Sequence, residues 1–351
     1  MDEITQQLED ILRVIDDKKN RIRISDFFTN DLEVYSQRMI NLEQEISANM
    51  ISLEEANKKY FLFTDEILQK TEGLENIFTQ RLFVRKIKDN FRKLLMDGPI
   101  YKSLIVKRAH DKPKGYPGDY QMLELFYDNR AISTGIGFCG DSYILNDDYV
   151  KAVRSRKDKM KEILSKFIKQ SKLSSLNILN LGCGSCREIK ELFFSGFNTD
   201  KNITFTLVDQ DQEALDFCRK TLNFIPKNIT FNFIKENLLN LSQEKYKDTL
   251  KEQDMIYAIG VADYLPDIFL GRLIKFCSSL LKPNGEFIFA HKNVKKYKAS
   301  APDWFCDWYF LLRNKEDVIG IIKTYLDEKK FNIEVDEEES KHIFFVTINK
   351  L

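Results

Sequence analysis

The second half of this chain alternates two kinds of segment with a regularity that leaves few folds open. Short apolar runs, LNILNLGCGSC (176–186), ITFTLVD (203–209), ITFNFIKEN (229–237), DMIYAIGV (254–261) and GEFIFAH (285–291), are separated by helical patterns over 186–196, 211–224, 238–252 and 267–281. Strands alternating with helices predict βαβ units and a parallel sheet wound right-handed. Two last runs, FNIEVDEEES (331–340) and HIFFVTINK (342–350), flank a short acidic connection. They predict an antiparallel hairpin closing the sheet's edge.

The first half has a different texture. Ile4, Leu8, Ile11 and Ile15 recur at spacings of four and three, the apolar stripe of an amphipathic helix. Further helices are expected over 31–70 and 76–95. The stripe predicts a packed helical subdomain over 1–95, and a homodimer through these helices is the alternative use of it. Residues 96–150 hold Gly98, Pro99, Pro113, Gly115, Pro117, Gly118, Gly135, Gly137 and Gly140. Within them, KPKGYPGDYQMLELFYDN (112–129) brings Tyr116, Tyr120 and Tyr127 among turn residues. A helix resumes at 149–170. The expected organisation is therefore a helical subdomain (1–95), a Gly/Pro/Tyr-rich lid or cap (96–150) and an α/β domain (151–351).

Charge and cysteine usage exclude some classes of function. The chain of 351 residues carries 54 basic and 54 acidic side chains, a formal net charge of +0. A nucleic-acid binder normally shows a basic excess, so no nucleic-acid partner is expected. No run approaches the roughly 18 apolar residues of a membrane span. The opening MDEITQQLED is acidic and lacks the apolar centre of a signal peptide. Six scattered cysteines suit reduced thiols, and the expectation is a cytoplasmic protein.

The chemistry-bearing residues sit where strands end. Gly182-Cys183-Gly184 follows the first strand, where glycines let the backbone turn sharply and let a ligand lie against it. A dinucleotide fingerprint needs a third glycine where Arg187 stands, which argues against NAD. Asp209 ends the next strand, 27 residues after Gly182, where a carboxylate can accept both hydroxyls of a ribose. Gln210 follows it, and Asn237 after the third strand suits an adenine edge. Gly260, Asp263 and Tyr264 lie just past the fourth strand, in GVADYLPD, and His291 at the end of the fifth.

This order of motifs resembles the class I S-adenosylmethionine (SAM) dependent methyltransferases over about 176–350. The resemblance implies a Rossmann-like core of seven strands with the last antiparallel, following an N-terminal helical domain. It also implies SAM over Gly182, Cys183 and Gly184 with Asp209 on the ribose. Two positions depart from the pattern: Asn180 stands where an acid is usual, and Cys186 where a third glycine is usual. With RAHDKPKGYPGDYQMLELFYDN, AVRSRKDKM, IYAIGVADYLPD and DWYFLLRNKEDV added, the chain is similar from about 80 to 350 to one bacterial group. That group contains the enzymes named for making a 3-hydroxypalmitic acid methyl ester signal.

The resemblance implies a lid over the SAM site, with Tyr116 and Tyr120 walling the acceptor pocket and Asp119 orienting a ligand amine. The bland reading of 112–129 is a rigid turn filling a seam. Arg154 and Arg156 suit a substrate carboxylate, or a solvated helix face. Trp304 and Trp308, at i and i+4, belong on one helical face as core or as an apolar channel. Lys292, Lys295, Lys296 and Lys298 read as a solvated basic loop. Cys183 and Cys186 form a CxxC that lacks further ligands in the sequence, so they read as small residues in a turn and no metal site is expected. His291 is either a general base or a satisfied core residue. The function expected is methylation of a small molecule, foremost the carboxyl of a fatty or other organic acid. The alternatives are N- or O-methylation elsewhere, with His291 or Asp263 taking a proton, and a non-catalytic SAM-binding module with a helical docking region. Asp263-Tyr264 is not the Pro-Pro-Tyr pattern of methylation on DNA bases.

Overall fold

A computed structural model of the chain describes residues 2–351 apart from 79, 242–243, 251, 297 and 299–300. The chain divides into two compact units. One holds residues 1–150 with 298–309, and the other holds 151–297 with 310–351.

The second unit is built on a seven-stranded sheet of β1 (Ser175–Leu181), β2 (Asn202–Asp209), β3 (Ile229–Lys235), β4 (Gln253–Ala258), β5 (Leu281–Lys292), β6 (Phe331–Glu337) and β7 (Ile343–Lys350). Their spatial order is β3-β2-β1-β4-β5-β7-β6. β7 runs antiparallel to both neighbours, and the other pairs are parallel. The order turns back beside β1, between β1 and β4, which is where open α/β sheets hold ligands at their carboxyl ends.

Alternation along each strand sends side chains to two cores. Ile178 and Tyr257 join Phe205 and Leu207 on one face, under Met160, Leu164 and Ile168 of the helix Asp148–Gln170. Leu179 and Ile256 face the other side, with Val208, Phe287 and Phe289 against Leu270 and Ile274 of the helix Asp267–Leu280. β5 enters with Leu281 opposite Gln253, turns through Asn284 at φ +63°, and resumes with Glu286 opposite Met255. The turn Pro283-Asn284-Gly285 is thus a break inside the fifth strand.

The first unit is helical. The expected run over 31–70 divides into Leu32–Ser47 and Leu53–Thr71. Asn49 takes a left-handed φ of +54°, and Ser52 then caps the new helix by accepting from the Glu55 amide at 3.1 Å. Ile11 and Ile15 are buried and Leu8 is half-buried, while the side chain of Ile4 lies outside the described ones. Residues 96–150 are mostly helical, with Leu104–Asp111, Tyr120–Asp128 and Ile136–Asn146 joined by the glycine- and proline-bearing stretches.

The segment 298–309 differs from expectation twice. It belongs to the first unit although it lies inside 151–351 in sequence. Its helix Ala301–Cys306 also stops before Trp308, because Asp307 turns left-handed at φ +50°. Trp304 and Trp308 therefore do not share a helical face. Trp304 is fully buried, edge-on to Phe91 at 5.2 Å between ring centroids. Trp308 stacks on Phe126 at 5.7 Å. The Arg92 guanidinium donates to the Asp303 and Trp304 carbonyls, and the Tyr101 hydroxyl donates to the Phe305 carbonyl at 2.8 Å. Among the described residues, no helix is long and apolar enough to cross a membrane.

Candidate active site

The glycine loop after β1 is held by its neighbour strand. The amides of Gly182 and Cys183 both donate to the Val208 carbonyl, at 2.9 and 3.0 Å. Gly182 sits at φ +66°, and a Cβ there would stand 2.6 Å from Val261 Cγ2. Conformation and contact therefore both require glycine at 182. Gly184, at φ +52°, donates its amide to Asp209 Oδ2 at 2.9 Å. The Asp211 amide takes the other carboxylate oxygen at 2.9 Å. Burial raises the Asp209 pKa, and these two amides oppose the shift. Asn237 Nδ2 donates to Gln210 Oε1 at 3.1 Å, so the tips of β2 and β3 are tied by two exposed amides.

Behind the loop lies a buried polar cluster that the sequence did not reveal. Asn180, the departure from the usual acid, donates its amide to Glu188 Oε1 at 3.1 Å and to the Tyr257 hydroxyl at 2.9 Å. That hydroxyl donates to Glu188 Oε1 at 2.8 Å. A carboxylate is thus present beside position 180, carried by the first turn of the helix Arg187–Phe194 rather than by the strand. Burial pushes Glu188 up to about 7, against the pull of the Tyr257 hydrogen bond and of the Arg156 charge. The only sequence signal was the pattern GCGSCRE itself, with an acid in the helix's first turn.

Arg156 is 5% exposed and lies beside Gly260, whose added Cβ would meet Arg156 Nη2 at 3.7 Å. Its Nε, itself buried, has no hydrogen-bond partner. Two residues earlier, Arg154 is only half-buried on the same helix. Of the two arginines singled out by sequence, the buried one is Arg156.

The candidate bases are engaged elsewhere. His291 is fully buried; its Nδ1 lies 2.8 Å from the Lys292 carbonyl, and Arg313 Nη1 donates to its Nε2 at 3.0 Å. Both ring nitrogens are thereby engaged. Asp263 accepts from the Lys292 amide at 2.7 Å and stands 3.4 Å from His291 Nδ1. Arg313 also reaches Asp267 through Nε and Nη2, at 2.9 and 2.7 Å. Tyr264 is partly exposed, with its ring 5.5 Å from that of Phe310. Lys292 is buried with Nζ 3.0 Å from the Phe310 centroid, which corrects its reading as part of a solvated loop.

Tyr116, Tyr120, Asp119 and Trp308 belong to the first unit. Asp119 is 1% exposed and caps the helix Tyr120–Asp128 by accepting from the amides of Gln121 and Met122. Arg108 Nη2 donates to both its oxygens at 2.9 and 2.8 Å. These bonds give Asp119 a structural task whatever else it does. Tyr120 is buried and accepts from Gln121 Nε2 at 3.0 Å, while Tyr116 is half-buried.

Cys183 and Cys186 have a third companion, Cys218, on the helix Gln212–Thr221. Burial raises the Cys186 thiol. Hydrogen bonds from Cys183 and Cys186 hold Cys218 well below an ordinary thiol.

Residues 172–342 match the family model described as "Methyltransferase domain". Similar solved structures include a "possible exported protein" from Bordetella parapertussis, at 14% identity and TM-score 0.48, covering 71% of this chain and 95% of that one. Another is the N-methyltransferase NodS from Bradyrhizobium japonicum in complex with S-adenosyl-L-homocysteine, at 15% and 0.41, covering 66% and 97%. A third is the magnesium protoporphyrin IX methyltransferase from Synechocystis with bound S-adenosyl-L-homocysteine, at 11% and 0.46, covering 70% and 98%. No curated protein matches the chain. The glycine loop, Asp209 and the first five strands all fall within residues 172–342, the segment that matches the methyltransferase model.

Proposed function

We propose that the chain methylates a small organic acid, converting a carboxylate into its methyl ester. The observation that carries this reading is the pairing of engaged bases with a cation that is not fully paired. Both ring nitrogens of His291 are engaged and Asp263 is bound by a backbone amide, whereas Arg156, whose Nη2 faces Gly260, keeps a buried Nε donor without a partner. A carboxylate is ionised at neutral pH and needs no base. What it needs is a fixed donor, and a guanidinium supplies one well.

The residues suit SAM as follows. The loop at Gly182 and Gly184 lets the cofactor lie against the backbone, and Asp209 meets the ribose. Gln210 and Asn237 flank the adenine, and Glu188 with Asn180 receives the ammonium of the methionine end. Bound SAM supplies a methyl carbon on a sulfonium, a centre open to in-line displacement. Arg156 would hold the acceptor carboxylate and orient it toward that carbon, and an ionised acceptor would need no proton removed. In this reading Tyr264 lines the acceptor's path, and Arg154 supports its charge.

One observation favours a second reading, N- or O-methylation with a base. Glu188 is pushed up to about 7, where a carboxyl can take a proton near neutral pH. The deciding experiment feeds methyl-labelled SAM, the full chain and a small-molecule extract, then treats the products with alkali. Label released as methanol is expected for an ester. Alkali-stable label would replace the carboxyl reading with the second one, and binding of SAM without any transfer would point to a non-catalytic module.

A further inference from the structure

Three thiols behind the glycine loop have no part in the methyl transfer described above. Cys183 lies in the loop, Cys186 begins the next helix at φ +50°, and Cys218 comes from the helix Gln212–Thr221. Their sulfurs all lie within 4.8 Å of one another. Exposure is 7% at Cys183, 1% at Cys186 and 0% at Cys218. A single buried cysteine is an ordinary small apolar side chain. Three that converge from two separate elements form a donor set. Among the described residues they are also the one group of three or more such side chains close enough to share an ion.

The spacing is that of a metal clip. Cys183-Gly184-Ser185-Cys186 is a C-x2-C, the turn that presents two sulfurs to one ion in structural zinc sites. One ion bound about 2.3 Å from each of three sulfurs would hold them roughly 4 Å apart, inside the 4.8 Å within which they already lie. Sulfur donors select soft d10 ions over magnesium or calcium. The Gly184 carbonyl, 3.2 Å from Cys218 Sγ, offers an oxygen on the same side, and a water can complete the coordination.

We propose that Cys183, Cys186 and Cys218 bind one zinc ion directly behind the glycine loop. The ion would join the loop to the helix Gln212–Thr221, which leads away from Asp209. Both ends of the candidate SAM site would then be fixed to a single point. The proposal is independent of which acceptor is methylated and does not require transfer activity for its test.

The full chain, fully reduced and stripped with a chelator, is titrated anaerobically with cadmium, whose thiolate charge-transfer absorption reports sulfur ligation. Zinc is then added to displace it, and bound metal is counted. One equivalent per chain is expected, displaced by zinc. Cys218→Ala and Cys218→Ser should each lose at least about tenfold in affinity, whereas Cys277→Ala, on the helix Asp267–Leu280, should not. Circular dichroism identifies any variant that fails to fold, and the serine variant stands in if the alanine one does. Absence of the band in folded wild-type protein would overturn the site. So would an unchanged titration in a folded Cys218 variant, or recovery of a Cys183–Cys186 disulfide in place of bound metal.

Discussion

At the scale of single residues, the buried polar groups near β1 and β4 decide between chemistries. If Arg156 holds the acceptor, Arg156→Ala should raise the acceptor KM by about tenfold or more, the loss of roughly 1.4 kcal/mol. SAM affinity, measured by calorimetry, should stay within about twofold. A matching loss of SAM affinity would instead assign Arg156 to the carboxylate of the cofactor. Glu188 makes a prediction about pH. Its folded pKa near 7 exceeds the roughly 4.3 of an unfolded glutamate, so the folded state binds the proton more tightly. Its contribution to stability is complete below about pH 4.3 and is lost as pH rises through about 7, on the order of 4 kcal/mol at most. Glu188→Gln, which keeps the neutral shape, should flatten the fall in Tm between about pH 5 and pH 8. An unchanged slope would mean that other groups carry it.

At the scale of elements, the turn after β1 is the most constrained piece of backbone. Gly182→Ala introduces a Cβ into a left-handed conformation and against Val261 Cγ2. SAM affinity should fall by about tenfold or more while the far-ultraviolet spectrum is retained; wild-type affinity in this variant would remove the loop from the cofactor site. This turn was legible in sequence because an apolar run, a glycine pair and an acid at the next strand's tip are local signals. Glu188, Tyr257 and Cys218 escaped notice because their significance lies in meeting Asn180 and Cys186 from other elements. No spacing along one segment encodes such a meeting. Trp308 was misplaced by a helical count that one left-handed residue, Asp307, interrupts.

At the scale of the whole molecule, the sequence pattern captured the sheet and the antiparallel hairpin at its edge, because alternation of strands and helices restricts topology strongly. It did not capture the crossing of 298–309 into the first unit. The reason is physical: Trp304 is buried by Phe27 and Phe91, more than two hundred positions earlier. This makes a prediction for dissection. A fragment of residues 151–351 carries Trp304 and Phe305 without the helices that bury them, and should aggregate. Replacing 298–309 by a short polar linker should give a soluble fragment with a cooperative melt. Equal solubility of the two, by gel filtration, would show that the segment does not depend on the first unit.

The site itself is tested most directly by equilibrium binding of SAM to the full chain and to Asp209→Ala, followed by calorimetry. Asp209 ends β2, accepts the Gly184 amide and stands where the ribose is expected. The prediction is one SAM per wild-type chain and at least about tenfold weaker binding to a variant that remains folded. Failure of the wild-type chain to bind SAM, or undiminished binding by Asp209→Ala, would contradict the placement of the cofactor at these strand tips.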